Sequence, residues 1–237
     1  MRNAAVAFGL KGLYIGVVDF LLGEEVAQSF GADCIIEFPP HQFKVPSILK
    51  SVPEGEGLWN KNFRGYLYEY TDFIKIAVQK WNDKEKIKRI RGVCPSWDNT
   101  ARRKNDSVVL LNSSPDLYKY WLTYSLLYSQ ERESEFVFIN AWNEWGEGCH
   151  LEPDLKYGRK YLEVTKEALQ DFNSLDLQNF KLEIVAKLDS VQDNESKNSI
   201  SDSSVFVPIS YKDFIKSRLS RYPKLYRIAQ HIYGFLK

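Results

Sequence analysis

The chain lacks a charge of either sign to spare: 32 Lys and Arg stand against 31 Asp and Glu, a net charge of +1 over 237 residues. Binding a phosphate backbone in bulk needs a basic stripe, so this balance argues against a nucleic-acid partner. Cysteine is scarce and odd in number (Cys34, Cys94 and Cys149), which does not make a disulfide framework and suits a reducing compartment. No Gly-x-Gly-x-x-Gly and no Gly-x4-Gly-Lys-Ser/Thr pattern follows any strand-like run, which counts against the nucleotide-binding folds. A clean apolar span is also missing. Residues 1–23 are mostly apolar, but Lys11 and Asp19 interrupt them and no small-residue cleavage pattern follows, so a buried strand over 12–20 is the better reading than a signal or anchor.

What the chain does have is aromatic side chains, 14% of all residues with 6 Trp and 14 Tyr, and enough length for a real core. Leu13 to Val18 is a β-rich apolar run ending at Asp19, and a short helix follows from Gly23 to Phe30. A second run, Ala32 to Phe38, ends in Glu37 and Pro39-Pro40-His41, after which a long polar loop extends to about residue 64. Tyr66, Tyr70, Phe73, Ile74, Ala77 and Trp81 recur at helical spacing, which predicts an amphipathic helix over 66–82. A weaker strand over 90–94 runs into Trp97-Asp98-Asn99, and Arg102, Arg103 and Lys104 continue the loop. Ser114-Pro115-Asp116 then opens the clearest helix, with an N-cap, a proline at the first helical position and an acid in the first turn.

Residues 136–139 form a fourth apolar run, read as a strand buried on both faces, and it breaks abruptly into Asn140, Trp142, Asn143, Glu144, Trp145 and Glu147. Tyr157, Tyr161, Val164, Ala168 and Phe172 give one face of a closing helix. Four continuously apolar strands alternating with helices predict an α/β fold of parallel β/α units. Their polar residues gather at the strand C-terminal ends, where both β/α barrels and open doubly wound sheets place ligands.

The chemistry is expected at Glu144 and Glu147. Cleaving or forming a glycosidic bond needs a carboxylic acid for the bridging oxygen and commonly a second carboxylate on the other side of the sugar. Gly146 and Gly148 permit a turn that aims both into one cavity. Trp97, Trp142 and Trp145 offer flat faces for sugar rings, Asn140, Asn143, Asp98 and Asn99 offer hydrogen bonds, and Arg102, Glu37 and His41 complete the candidate substrate-binding set. The plain alternative is two glutamates on a solvated helical turn. Cys149-His150 near Glu152 and Asp154 invites a metal reading, but a full site needs ligands from elsewhere, so no metal and no cofactor is expected.

Residues 139–154, Ile-Asn-Ala-Trp-Asn-Glu-Trp-Gly-Glu-Gly-Cys-His-Leu-Glu-Pro-Asp, resemble the signature of WbsX-type polysaccharide-biosynthesis glycosyltransferases. That family is grouped as glycoside hydrolase family 99-like, after the endo-α-mannosidases. Residues 91–103, the Glu37-Phe-Pro-Pro40 run and Tyr157-Gly-x-x-Tyr161-Leu are similar to the family as well, so the resemblance covers roughly residues 10 to 172. It implies a (β/α)8 TIM-type barrel with Glu144 and Glu147 on its last strand, of which this chain holds the C-terminal half, about four β/α units. It also implies that Glu147 is the general acid/base, and that Glu144 assists the substrate's own 2-hydroxyl as internal nucleophile with retention of configuration.

The expected division is therefore a half-barrel over 1–172, a partly disordered polar linker over 173–209 and a basic amphipathic helical tail over 210–237. The tail reads as a helix pair docking on its own domain, or as a surface for an anionic membrane or a partner. The expected function is glycosyl transfer in bacterial lipopolysaccharide, O-antigen or capsule assembly, with a glycan or activated sugar as substrate. A retaining endo-glycosidase and an inactive, partner-dependent fragment are the rivals. Exposed sheet edges call for an N-terminal half-barrel chain or self-association as partner. The expected place is the cytoplasm or the inner face of the membrane.

Overall fold

The computed structural model describes residues 1–20, 23–41, 64–80, 86–103 and 105–198; the basic tail and the end of the expected linker lie outside the described residues. A parallel four-stranded sheet carries the site. Its strands are β1 (Gly16–Asp19), β2 (Cys34–Glu37), β4 (Lys88–Val93) and β6 (Val137–Ile139), in the spatial order β1-β2-β4-β6. That order follows the sequence, as successive β/α units laid side by side require. Helices α1 (Arg2–Ala7), α2 (Gly23–Ser29), α3 (Tyr70–Lys80), α4 (Pro115–Glu131), α5 (Lys160–Asp171) and α6 (Leu177–Asn198) complete the regular helical elements. An α/β fold with a parallel sheet is what these elements make.

The strand pleat sorts side chains to two faces. On one face Val17 and Ile35 pack with Ala27 and Ile87, while Val93, Val137 and Ile139 pack into the main core. The registers Val18↔Ile36, Ile36↔Ile90 and Gly92↔Phe138 put those residues on the other face. There Phe138 and Val18 are each 45% exposed, and Phe136, one pleat earlier, is 58% exposed. The strand at 136–139 is therefore covered on its helix side alone, in place of the burial on both faces that its apolar run predicts. Gly92 has a packing reason: a Cβ there would stand 2.4 Å from the carbonyl oxygen of Glu37.

The core is organised around α4. Ser114 caps it by accepting from the Leu117 N–H at 3.3 Å, with Pro115 at its first position, as the sequence predicts. Leu117, Tyr118, Trp121, Leu122, Tyr124, Leu127 and Tyr128 are all buried in it. Tyr161, Val164 and Ala168 of α5 pack into the same core.

Two further expectations are corrected. Residues 64–69 form strand β3 (Arg64–Glu69), paired in parallel with β5 (Asn105–Leu111), and the helix begins only at Tyr70. Tyr66 and Tyr70 fit a helical period, Tyr66 and Tyr68 fit a strand period, and the parallel pairing with β5 decides for the strand. The stretch 173–198 is largely helix α6 in place of a linker. Leu177, Phe180, Ile184 and Leu188, spaced three and four apart, are buried against the core, and the ring of Phe180 stacks on that of Tyr120 at 6.0 Å. The packed body thus extends past residue 172. Among the described residues no helix is long and apolar enough to cross a membrane.

Candidate active site

The stretch after β6 folds back as a small antiparallel hairpin. Strand β7 (Asn143–Glu144) pairs with β8 (Cys149–His150), and a single 3-10 turn, Trp145–Glu147, joins them. Gly148 ends that turn at φ +58°, with Asp98 packed so closely that a Cβ would meet its backbone at 3.0 Å. The main-chain N–H of Asp98 donates to the Glu147 carbonyl at 2.8 Å, and the Ser96 hydroxyl donates to the Gly148 carbonyl at 2.5 Å. The Cys149 thiol donates to the Asn140 carbonyl at 2.7 Å. The hairpin is fastened to the loop after β4 and to the end of β6.

This fastening brings the two carboxylates together. Arg102 Nη1 lies 3.3 Å from Glu144 Oε1 and 3.2 Å from Glu147 Oε1. The two oxygens are therefore no farther apart than those distances laid end to end, 6.5 Å. Both side chains stay in contact with solvent, Glu147 at 21% and Glu144 at 41%. Gly146 leaves room for the arginine: a Cβ there would stand 3.3 Å from Arg102 Cδ and Nε. Of the sequence candidates, Glu144, Glu147, Arg102 and Asp98 form one group.

Trp142 and Trp145 are about half exposed. Trp145 is fixed on one side by the His150 ring, stacked at 3.7 Å and 18°, and at its edge by an Nε1–H donated to Glu152 at 2.6 Å. His150 in turn pairs with Asp154 at 3.2 Å. Burial works against the Asp154 charge, but the N–H of Tyr157 and the His150 ring outweigh it and hold its carboxyl below the usual range. His150, Glu152 and Asp154 are thus residues of the site that the metal reading had grouped for another purpose. Their spacing beside Trp145 was the signal. Asn143 is exposed on the hairpin.

Other candidates sit elsewhere in the architecture. Trp97 is 1% exposed, with its ring edge against the His41 ring at 5.1 Å, so it is wall material in place of an open stacking face. His41 lies among Phe20, Phe38 and Trp97. Asn99 is buried and holds the loop by accepting from the Val108 N–H at 2.7 Å. Asn140 donates its side-chain amide to the Pro39 carbonyl at 2.9 Å, tying β6 to the end of β2. Glu37 is buried at 4% exposure, ion-paired with Arg91 at 2.8 Å. Burial pushes its carboxyl up against the opposing pull of Arg91. Arg91 extends over the Tyr128 ring of α4, so this pair belongs to the sheet–helix interface.

Comparison with known proteins gives the family. The Glycosyltransferase WbsX family model matches residues 1–165. "Uncharacterized protein WxcX" from two strains of Xanthomonas campestris pv. campestris is 33% identical over 145 residues, covering 60% of this chain. The chain spans 20% of the length of these relatives. A solved "Glycoside hydrolase-like protein" aligns with a TM-score of 0.43 and 16% identity, over 71% of this chain and 47% of the other. With the match running through the carboxylate hairpin and all four strands of the sheet, the chain belongs to the WbsX glycosyltransferase family.

Proposed function

We propose that the protein transfers glycosyl groups in the assembly of a bacterial surface polysaccharide, on the cytoplasmic side of the membrane. The observation that carries this reading is the meeting of Glu144 and Glu147 on one guanidinium, at 3.3 and 3.2 Å, past the end of a parallel strand. Glu147, the less exposed of the two, serves as the acid/base: it protonates the departing oxygen or takes the proton of the incoming hydroxyl. Glu144 acts as base or stabilises the positive charge that develops at the anomeric carbon. Arg102 lies against both carboxylates before substrate arrives. With an activated donor it is placed to turn toward the donor's phosphate.

The second reading is a retaining endo-glycosidase using the same pair. Carboxyl groups about 5–5.5 Å apart suit retention and wider pairs suit inversion. The 6.5 Å ceiling favours the closer geometry. Supplying sugar-nucleotide or lipid-linked donors in one reaction and plain oligosaccharide in another separates the two. A product longer than the acceptor supports transfer, and a shortened oligosaccharide with no extension replaces it with hydrolysis.

The sheet is proposed as the C-terminal half of a (β/α)8 barrel. Its support is the sequential strand order and the half-exposed Val18 and Phe138 on the face opposite the helices. Covering that face needs further sheet from another segment, another chain or a second copy.

A further inference from the structure

A cavity opens against Asp98 and Gly148. It has a volume of about 420 Å3 and is walled by Trp97, Asp98, Asn112, Ser113, Lys156 and Tyr157 among others. That size falls in the range of small-molecule sites, ~300–1,000 Å3. Asp98 and Gly148 line this cavity, and the Asp98 N–H donates to the Glu147 carbonyl, so the cavity adjoins the turn that carries Glu147.

We infer that this cavity is a glycan subsite, holding a further sugar unit of a chain whose neighbouring unit lies at Glu144 and Glu147. The inference rests on the glycan reading of the carboxylate pair. Its walls join the Tyr157 ring to donors and acceptors, the combination that a pyranose with apolar faces and an equatorial fringe of hydroxyls needs. The Asp98 carboxylate spends one oxygen on the Thr100 N–H at 2.9 Å. The Lys156 ammonium stands 4.7 Å over the Tyr157 ring, and no carboxylate pairs with it among the described residues.

Trp97 forms a closed part of the cavity wall. Its side chain is 1% exposed, it lines the cavity, and its Nε1–H meets no acceptor among the described residues. The Tyr157 hydroxyl donates to the Ser113 carbonyl at 3.1 Å, which braces the cavity rim before any ligand arrives. The protein thus binds a chain of two or more sugars in preference to a single one.

The test uses the full chain carrying Glu147→Gln, to block turnover, on an array of bacterial-type glycans from mono- to tetrasaccharide. Retention of chains of two or more units, with no monosaccharide retained, is the expected result. Adding Lys156→Ala should weaken that retention by about tenfold, and adding Ser113→Trp, which fills the cavity, should abolish it. Monosaccharides retained as strongly as longer chains, or retention unaffected by Ser113→Trp in a variant of unchanged circular dichroism, overturns the subsite while leaving the carboxylate pair standing. An array that retains no glycan of any length overturns the subsite together with the glycan reading beneath it.

Discussion

The backbone N–H of Asp98 donates to the carbonyl of Glu147 at 2.8 Å, so the loop after β4 and the turn carrying Glu147 are held as one piece. This contact leaves no space beside Gly148, which adopts φ +58° against the Asp98 backbone. The carboxylate geometry depends on a close backbone approach as well as on the two glutamates.

Gly148→Ala tests that approach. The left-handed backbone disfavours any side chain, and the added Cβ would stand 3.0 Å from Asp98. Strain of this kind costs about 1–3 kcal/mol. The expected outcome is a lowered urea midpoint together with a loss of activity greater than the loss of stability explains, since the turn displaces Glu147.

Arg91→Met tests the buried ion pair. Removing one partner of a buried pair costs roughly 3–5 kcal/mol when the other charge stays. Glu37 already has its carboxyl pushed up by burial, so its contribution to stability is present below the ordinary glutamate range and lost as pH rises through its raised value. The variant should therefore be least stable at neutral pH and recover toward acid, read by urea denaturation at several pH values. Arg91→Met with Glu37→Gln should recover stability at neutral pH relative to Arg91→Met alone.

Asp154 gives the opposite sign. Its carboxyl is held low, so the stability it contributes is present above the ordinary aspartate range and lost as pH falls through the lowered value. Because Asp154 holds His150 and His150 holds Trp145, acidification below about pH 3.9 should loosen the Trp145 stack. Near-UV circular dichroism should report this in the wild type, and Asp154→Asn should show the loosened signal already at neutral pH.

The sequence made the four sheet strands, the capped α4 and the Glu144–Glu147 pairing legible, because each rests on a local pattern. An apolar run marks a parallel strand, Ser114-Pro115 marks a helix start, and glycines flanking Glu147 mark a turn. It did not separate β3 from α3, since Tyr66 and Tyr70, four apart, satisfy a helical and a strand spacing at once. Helix α6 was hidden because Leu177, Phe180, Ile184 and Leu188 stand singly among polar residues. Nor could one-dimensional spacing tell Glu37 and Trp97 from open-site residues. Both lie beside strand ends in the sequence, and only packing shows Glu37 spent on Arg91 and Trp97 walled in.

The central claim is that Glu144 and Glu147 carry the chemistry, and its most direct measurement is turnover of Glu144→Gln and Glu147→Gln with the substrate identified in the donor comparison. Both substitutions keep side-chain size, so circular dichroism and urea midpoint should match the wild type. Turnover should fall on the order of 10²–10⁴-fold in each. Wild-type turnover in both folded variants would contradict the account.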